Sequence, residues 1–416
     1  MKRWSWTVVL AAFCMFALPV RANPMLHADR GSVLDARGAP VLLRCVGLSP
    51  WLIPEGYLVG EGGLAAISTS PTQVRQRLED LVGPVQAGVF WQQWIEHFVT
   101  EDDFARLHAQ GFNCVRLPLN FRSLVESDAS GQVYFRPEAI APVDHAVAWG
   151  ERHGIFVVLD LHDAPGGQNP APTSSDVPSN DRVARLWYGP AAAENQRKTV
   201  AFWRALASRY ASTHSVAGYD LLNEPMLRAD NQSELPDLFR RIAAAVRQVD
   251  PNHMLILEGN NYAHDFDSLR SFPDANVMYE FHEYDIFNRS WSHPTANSLA
   301  PFLSLRQATG HPLWLGEFGE NTLEWQAQMV ALMKSNNIGW SIWPWKRVAL
   351  SPSHPVIEAI QTPDAWQRIA GYLVGKWFTA KPSPAQAQAG MSAMLQAIPT
   401  AKCREDEQLV RVLAGR

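Results

Sequence analysis

Residues 100–119 read TEDDFARLHAQGFNCVRLPL. Thr100 with Asp103 three positions on is a helix-start signature, because both side chains can satisfy free backbone N–H groups. Gly111 stops that helix, and Asn113–Leu119 follows as a run of mainly apolar residues. Such a run suits a strand covered on both faces, as in a parallel sheet. The unit recurs along the chain. Apolar runs lie at Val41–Leu48, Cys114–Leu119, Phe156–His162, Tyr219–Leu222, Met254–Glu258, Val277–His282, Pro312–Phe318 and Gly339–Trp345. Helical patterns such as Asn195–Tyr210 and Leu238–Val249 stand between them. Eight alternations of strand and helix predict an α/β fold, a (β/α)8 TIM barrel with long loops at its C-terminal face. A doubly wound open sheet would want a Gly-rich turn after its first strand, and none is present.

A barrel needs about 250 residues, and this chain has 416. The surplus is expected in Pro50–Glu96 after the first strand, in Asp163–Glu194 after the third, and beyond Trp345. The first two leave the C-terminal ends of strands, where barrel active sites are built. Residues 1–22 read as an export signal: Lys2 and Arg3, then an apolar run from Trp6 to Val20, then small Ala22. That run is short for a bilayer span. The expected partition is a signal peptide at 1–22, one catalytic barrel at 23–400 and a C-terminal tail at 401–416. The Ala- and Gln-rich residues past Pro384 fit a terminal helix or a loose tail.

Apolar residues make up 47% and charged residues 19%, which excludes disorder as the main state. Loss of Lys2, Arg3 and Arg21 with the signal leaves 33 basic against 41 acidic residues, a charge of −8. The lack of a basic excess argues against nucleic acid as a partner. The 16 Trp outnumber the 9 Tyr, and large aromatic faces suit both packing and stacking on a ligand ring. Three cysteines remain after export. Cys45 and Cys114 read as small core residues, and one disulfide is compatible with an exported chain. No C-x-x-C spacing occurs.

Polar residues gather where the strands end: Arg116, His162 with Asp163, Asn223 with Glu224, Glu258, His282 with Glu283 and Tyr284, Glu317, and Trp343 with Trp345. Charged groups at the ends of buried strands need partners, and a barrel brings all these ends to one mouth. Glu224 and Glu317 belong to the fourth and seventh strands. Two Glu in different surroundings can divide into a protonated acid and an ionised nucleophile, the pair that glycoside hydrolysis requires. Arg116 is placed to keep Glu317 ionised, Tyr284 to orient it, and Asn223 to bind a sugar hydroxyl. His162 and His282 would bond the sugar or the carboxylates. Glu258 and Glu283 read as structural, and Asp163 as either a loop cap or a site group.

Six ordered segments carry a resemblance: Val115–Pro118, Leu159–Asn169, Leu222–Pro225, His282–Tyr284, Gly316–Gly319 and Trp343–Lys346. Together they resemble glycoside hydrolase family 5, which contains cellulases, mannanases and exo-glucanases, over about Gly31 to Trp377. The resemblance implies Glu224 as acid/base and Glu317 as nucleophile. It implies Arg116, His162, Asn223, His282 and Tyr284 as the supporting set, and Trp343 as the sugar platform ahead of Trp345. The Gly47–Leu58 stretch and the Ala164–Asn169 loop are more similar to the exo-glucanase-like and related bacterial subgroups than to the simple endoglucanases.

The expectation is therefore an exported, periplasmic or extracellular, monomeric retaining glycosidase. Its partner would be an oligo- or polysaccharide or another β-glycoside, with no metal, no cofactor and no membrane contact after signal cleavage. A metal-dependent hydrolase using His162, Asp163, His282 and Glu283 is one rival. A carbohydrate-binding barrel without catalysis is another. Trp51, Trp91, Trp94, Trp187 and Trp291 are candidate platforms that fit packing equally well. Asn231-Gln232-Ser233 and Asn288-Arg289-Ser290 are glycosylation sequons. Neither a G-x-S-x-G elbow nor a phosphate-binding Walker loop is present.

Overall fold

The computed structural model describes residues 25–60, 63–128, 132–178, 180–285, 292–348 and 355–415. The export signal at 1–22, Trp291 and the sequon at Asn288 lie outside these residues. Eight strands close a parallel barrel: β1 Arg44–Gly47, β2 Cys114–Asn120, β3 Phe156–Asp163, β4 Val216–Asp220, β5 Met254–Glu258, β6 Val277–Glu283, β7 Leu313–Gly319 and β8 Gly339–Trp343. They pair in sequence order, and β8 closes on β1. The fourth run is the least well located from sequence. Its strand begins at Val216, and Leu221 and Leu222 already belong to the loop.

The helices are α1 Pro71–Val82, α2 Pro84–Phe98, α3 Glu101–Gln110, α4 Pro137–His153, α5 Ala192–Tyr210, α6 Glu234–Arg247, α7 Ala296–Thr309, α8 Leu323–Ser335, α9 Asp364–Leu373, α10 Pro384–Ala397 and α11 Glu407–Leu413. The start of α3 follows the sequence: the Thr100 N–H donates to Asp103 Oδ2 at 2.8 Å, and Gly111 ends the helix in the left-handed region. The alternation is not complete. Between β5 and β6 the described chain makes only short turns, at Asn260–Ala263 and Asp267–Leu269.

Three expectations change. Cys45 and Cys114 occupy paired positions on β1 and β2, with Cα atoms 4.2 Å apart, and form a disulfide. They lie in the lower core with Val158, Ile256, Met278 and Trp314, plugged from below by Leu26 and Val33. The Pro50–Glu96 insertion is not chiefly a mouth loop. Its helices α1 and α2 pack on α9 and α10 beside the barrel, because Val74, Leu78, Phe90 and Trp94 are apolar side chains that this packing buries. The described part of the expected 401–416 tail, residues 401–415, is packed structure. Arg404–Glu405 joins the small sheet of Lys346–Val348 and Glu358–Ile360. Helix α11 packs on α8, with Leu409 and Leu413 fully buried.

Candidate active site

The barrel interior above the disulfide is polar. Side chains two apart on a strand point the same way, so Arg116 stands over Cys114, His162 over Asp160, and His282 over Glu280. Arg116 is completely buried and touches five carboxyl groups. It meets Asp160 at 3.1 Å, Asp220 at 2.8 Å, Glu258 at 3.1 Å, Glu280 at 3.1 Å and Glu317 at 2.5 Å. One guanidinium cannot neutralise five carboxylates, and burial makes uncompensated charge costly. Burial accordingly pushes Asp160 and Asp220 up to about 7, despite the opposing pull of Arg116. Glu258 and Glu280 are raised well above the usual range for the same reason.

Above this layer lies the candidate pair. Glu317 Oε1 accepts from Arg116 Nη1, and Glu317 Oε2 accepts from Tyr284 Oη at 2.8 Å. Glu224 Oε1 lies 3.0 Å from His282 Nδ1, while His282 Nε2 lies 3.2 Å from Glu280. Carboxyl oxygens of Glu224 and Glu317 fall within 4.8 Å of each other, with His282 between them. Burial raises the Glu224 carboxyl above its ordinary value, against a hydrogen bond from Ser174 and the pull of Arg116. Burial is the largest cause of that rise. The same burial holds both histidines neutral, His162 down to about 4 and His282 down to about 3.

Asn223 Oδ1 accepts from Arg116 Nη2 at 2.9 Å. His162 hydrogen-bonds Asp160 at 2.8 Å, and its ring stacks on Trp343 with centroids 5.2 Å apart. The Trp343 indole donates to Tyr57 Oη at 2.8 Å. All eight residues singled out from the sequence (Arg116, His162, Asn223, Glu224, His282, Tyr284, Glu317 and Trp343) thus meet at one mouth.

Other candidates go elsewhere. Asp163 accepts from Asn120 at 2.8 Å, and Glu283 pairs with His264 at 2.9 Å. The metal quartet of His162, Asp163, His282 and Glu283 is therefore not assembled. Among the described residues the three-donor groups are Glu224–His282–Glu317 and Glu258–Glu280–His282. Each includes a carboxylate already bonded to the Arg116 cation, an unfavourable neighbour for a metal ion. Trp51, Trp94 and Trp187 are buried and donate to the carbonyls of Ile95, Pro50 and Gln168, so they are packing residues. Trp345 is fully buried beside Lys346, which donates to the carbonyls of Phe98 and Ile398.

Sequence reasoning passed over Asp220 and Glu280. Glu280 sits two residues before His282 on the same strand face, and that period-two spacing was the available signal. Glu55 was also missed as a site group. It bonds Ser49 Oγ at 2.9 Å and lies 3.9 Å from His162. The signal there was weak, because a Glu in a loop is usually solvated.

A family model described as cellulase (glycosyl hydrolase family 5) matches residues 76–348. A β-xylosidase of Phanerodontia chrysosporium is 31% identical over 356 residues, covering 78% of this chain and 71% of its own length. Endoglucanase C of Acetivibrio thermocellus is 23% identical over 319 residues, covering 63% of this chain and 88% of its own. The crystal structure of an endogalactoceramidase shares the fold, with a TM-score of 0.56 at 22% identity, over 78% of this chain and 75% of that one. On the family match and on this barrel, the chain belongs to glycosyl hydrolase family 5 and is an O-glycosyl hydrolase.

Proposed function

We propose that the protein is an exported retaining β-glycosidase in which Glu317 attacks the anomeric carbon and Glu224 serves as acid and then base. The observation that carries this reading is that a carboxyl oxygen of Glu224 and one of Glu317 lie within 4.8 Å of each other. Retaining enzymes hold their carboxyls about 5–5.5 Å apart, whereas inverting enzymes need about 6.5–9.5 Å to admit water. The surroundings divide the roles. Glu317 takes hydrogen bonds from Arg116 and Tyr284, one on each carboxyl oxygen, which fix its orientation for attack. Glu224 is partly buried beside a neutral histidine and keeps its proton longer. The proton passes from Glu224 to the leaving oxygen as the glycosyl–Glu317 bond forms. Glu224 then takes a proton from the water that breaks that bond. Asn223, His162 and Trp343 would line the sugar, and the reaction needs no further group.

The names of the relatives, a β-xylosidase and an endoglucanase, support a β-linked glucosyl or xylosyl substrate. The disulfide between Cys45 and Cys114 supports export to an oxidising compartment, and the mature chain would begin at Asn23. We read that chain as a monomer acting away from the membrane. The test is product stereochemistry combined with rescue. Proton NMR should show a β product. With an activated aryl glycoside, azide should restore turnover to Glu224→Ala and yield a β-glycosyl azide, while Glu317→Ala should stay inactive towards the β product. An inverted product sinks the mechanism, and azide rescue of Glu317→Ala to the β azide reverses the roles.

A further inference from the structure

Glu224 has a φ of +47°, a conformation that residues with a side chain seldom adopt. Both of its peptide groups are gripped. Its N–H donates to Glu258 Oε2 at 2.7 Å, and its carbonyl accepts from Asn169 Nδ2 at 2.9 Å. The following residues are held as well. The Met226 N–H donates to the Gln168 carbonyl at 3.1 Å, and the Leu227 N–H donates to Asn260 Oδ1 at 2.7 Å. Asn169 is fully buried and does not reach its partner by chance. Gly166 and Gly167 turn the loop with φ of +79° and +80°, and a Cβ on Gly167 would stand 2.3 Å from Val177. The Asn169 N–H donates to Ser175 Oγ at 3.2 Å, and its own Oδ1 accepts from the Ala171 N–H at 2.8 Å.

We propose that Asn169 is a positioning residue for Glu224: its carboxamide holds the Glu224 peptide in the left-handed conformation and so aims the carboxyl at the leaving oxygen. This rests on the reading of Glu224 as the acid/base. Proton transfer needs the donor within hydrogen-bond reach of the oxygen it protonates. Backbone relaxation at Glu224 swings the whole side chain, and a misplacement of about 1 Å is costly. Glu317 is held by Arg116 and Tyr284, with no contact to Asn169 among these bonds. Loss of the Asn169 donor therefore harms protonation and spares nucleophilic attack.

That asymmetry gives a signature that general destabilisation would not. The experiment measures kcat/KM on a series of aryl β-glycosides whose leaving phenols range from unsubstituted to dinitro-substituted. Asn169→Ala is the first variant. Asn169→Asp, of the same shape but without the donor, guards against misfolding. Both should lose about tenfold or more on the phenyl glycoside and stay within about twofold of the parent on the dinitrophenyl glycoside. Glu224→Ala is the reference for complete loss of the acid. If Glu224→Ala depends steeply on the leaving group while both Asn169 variants lose activity evenly or not at all, the proposal is overturned. If Glu224→Ala shows no such dependence, the acid assignment fails and the proposal falls with it.

Discussion

Arg116 is the residue on which the site turns, because a planar guanidinium can serve several acceptors at fixed angles. An ammonium is a point charge and cannot reach Asp220, Glu280 and Glu317 together. Arg116→Lys should lower kcat at least about a hundredfold and cost about 3–5 kcal/mol, since it leaves buried carboxyls without their partner. A chemical melt and a rate measurement check both, and parent-like values in either would show that the guanidinium geometry is not needed. The carboxyls beneath it predict a pH dependence of stability. Asp160 and Asp220 have folded-state values raised to about 7, above the unfolded range. Their contribution is complete below about pH 4 and is lost as pH rises through about 7. His162 and His282 act oppositely, contributing fully above about pH 6.5 and losing that contribution towards about 4 and 3. Between about pH 6.5 and 8 the carboxyls still change while His162 and His282 do not, so the melting temperature should fall over that interval. Asp160→Asn, which carries no titrating proton, should flatten the slope. An unchanged slope in that variant would show that the proton is held elsewhere.

At the scale of the element, β7 shows how tightly a strand is matched to its neighbour. Gly316 precedes Glu317, and a Cβ at Gly316 would stand 1.6 Å from Glu280 Oε1. Any side chain there must displace a carboxyl that also contacts Arg116 and His282. Gly316→Ala should therefore destabilise by about 1–3 kcal/mol and reduce activity through the shifted Arg116. The midpoint of urea unfolding and the rate on an aryl glycoside measure this; an unchanged midpoint would mean that Glu280 has room to withdraw. The strands were legible in the sequence because burial on both faces demands apolar runs such as Met254–Glu258, which begins and ends as read. The fourth strand was misplaced by several residues. Val216-Ala217-Gly218 carries weak apolar character, whereas Leu221 and Leu222 are buried in a loop.

The whole molecule is larger than its barrel. The inserted helices α1 and α2 and the C-terminal helices α9 and α10 share one interface, and α11 closes against α8. The indole of Trp340 on β8 donates to the Leu413 carbonyl at 3.0 Å, which ties the last helix to the barrel. Deletion of residues 404–416 should uncover the face of α8 that α11 covers, leave the buried Trp340 indole without its acceptor, and cost on the order of 5 kcal/mol. A truncated protein that melts with the parent would restore the reading of this segment as a tail. By itself the sequence determined the barrel, its mouth and the eight residues that meet there. Apolar runs, helix stops and polar strand ends are local patterns, and the closed barrel leaves those ends one place to go. Only the tertiary structure decided what lies below and around them. The pairing of Cys45 with Cys114, the carboxyl layer shared by Asp160, Asp220, Glu258 and Glu280, and the grip of Asn169 on Glu224 join residues from different strands and loops. Their distances depend on strand register and loop path, which no pattern along the chain encodes.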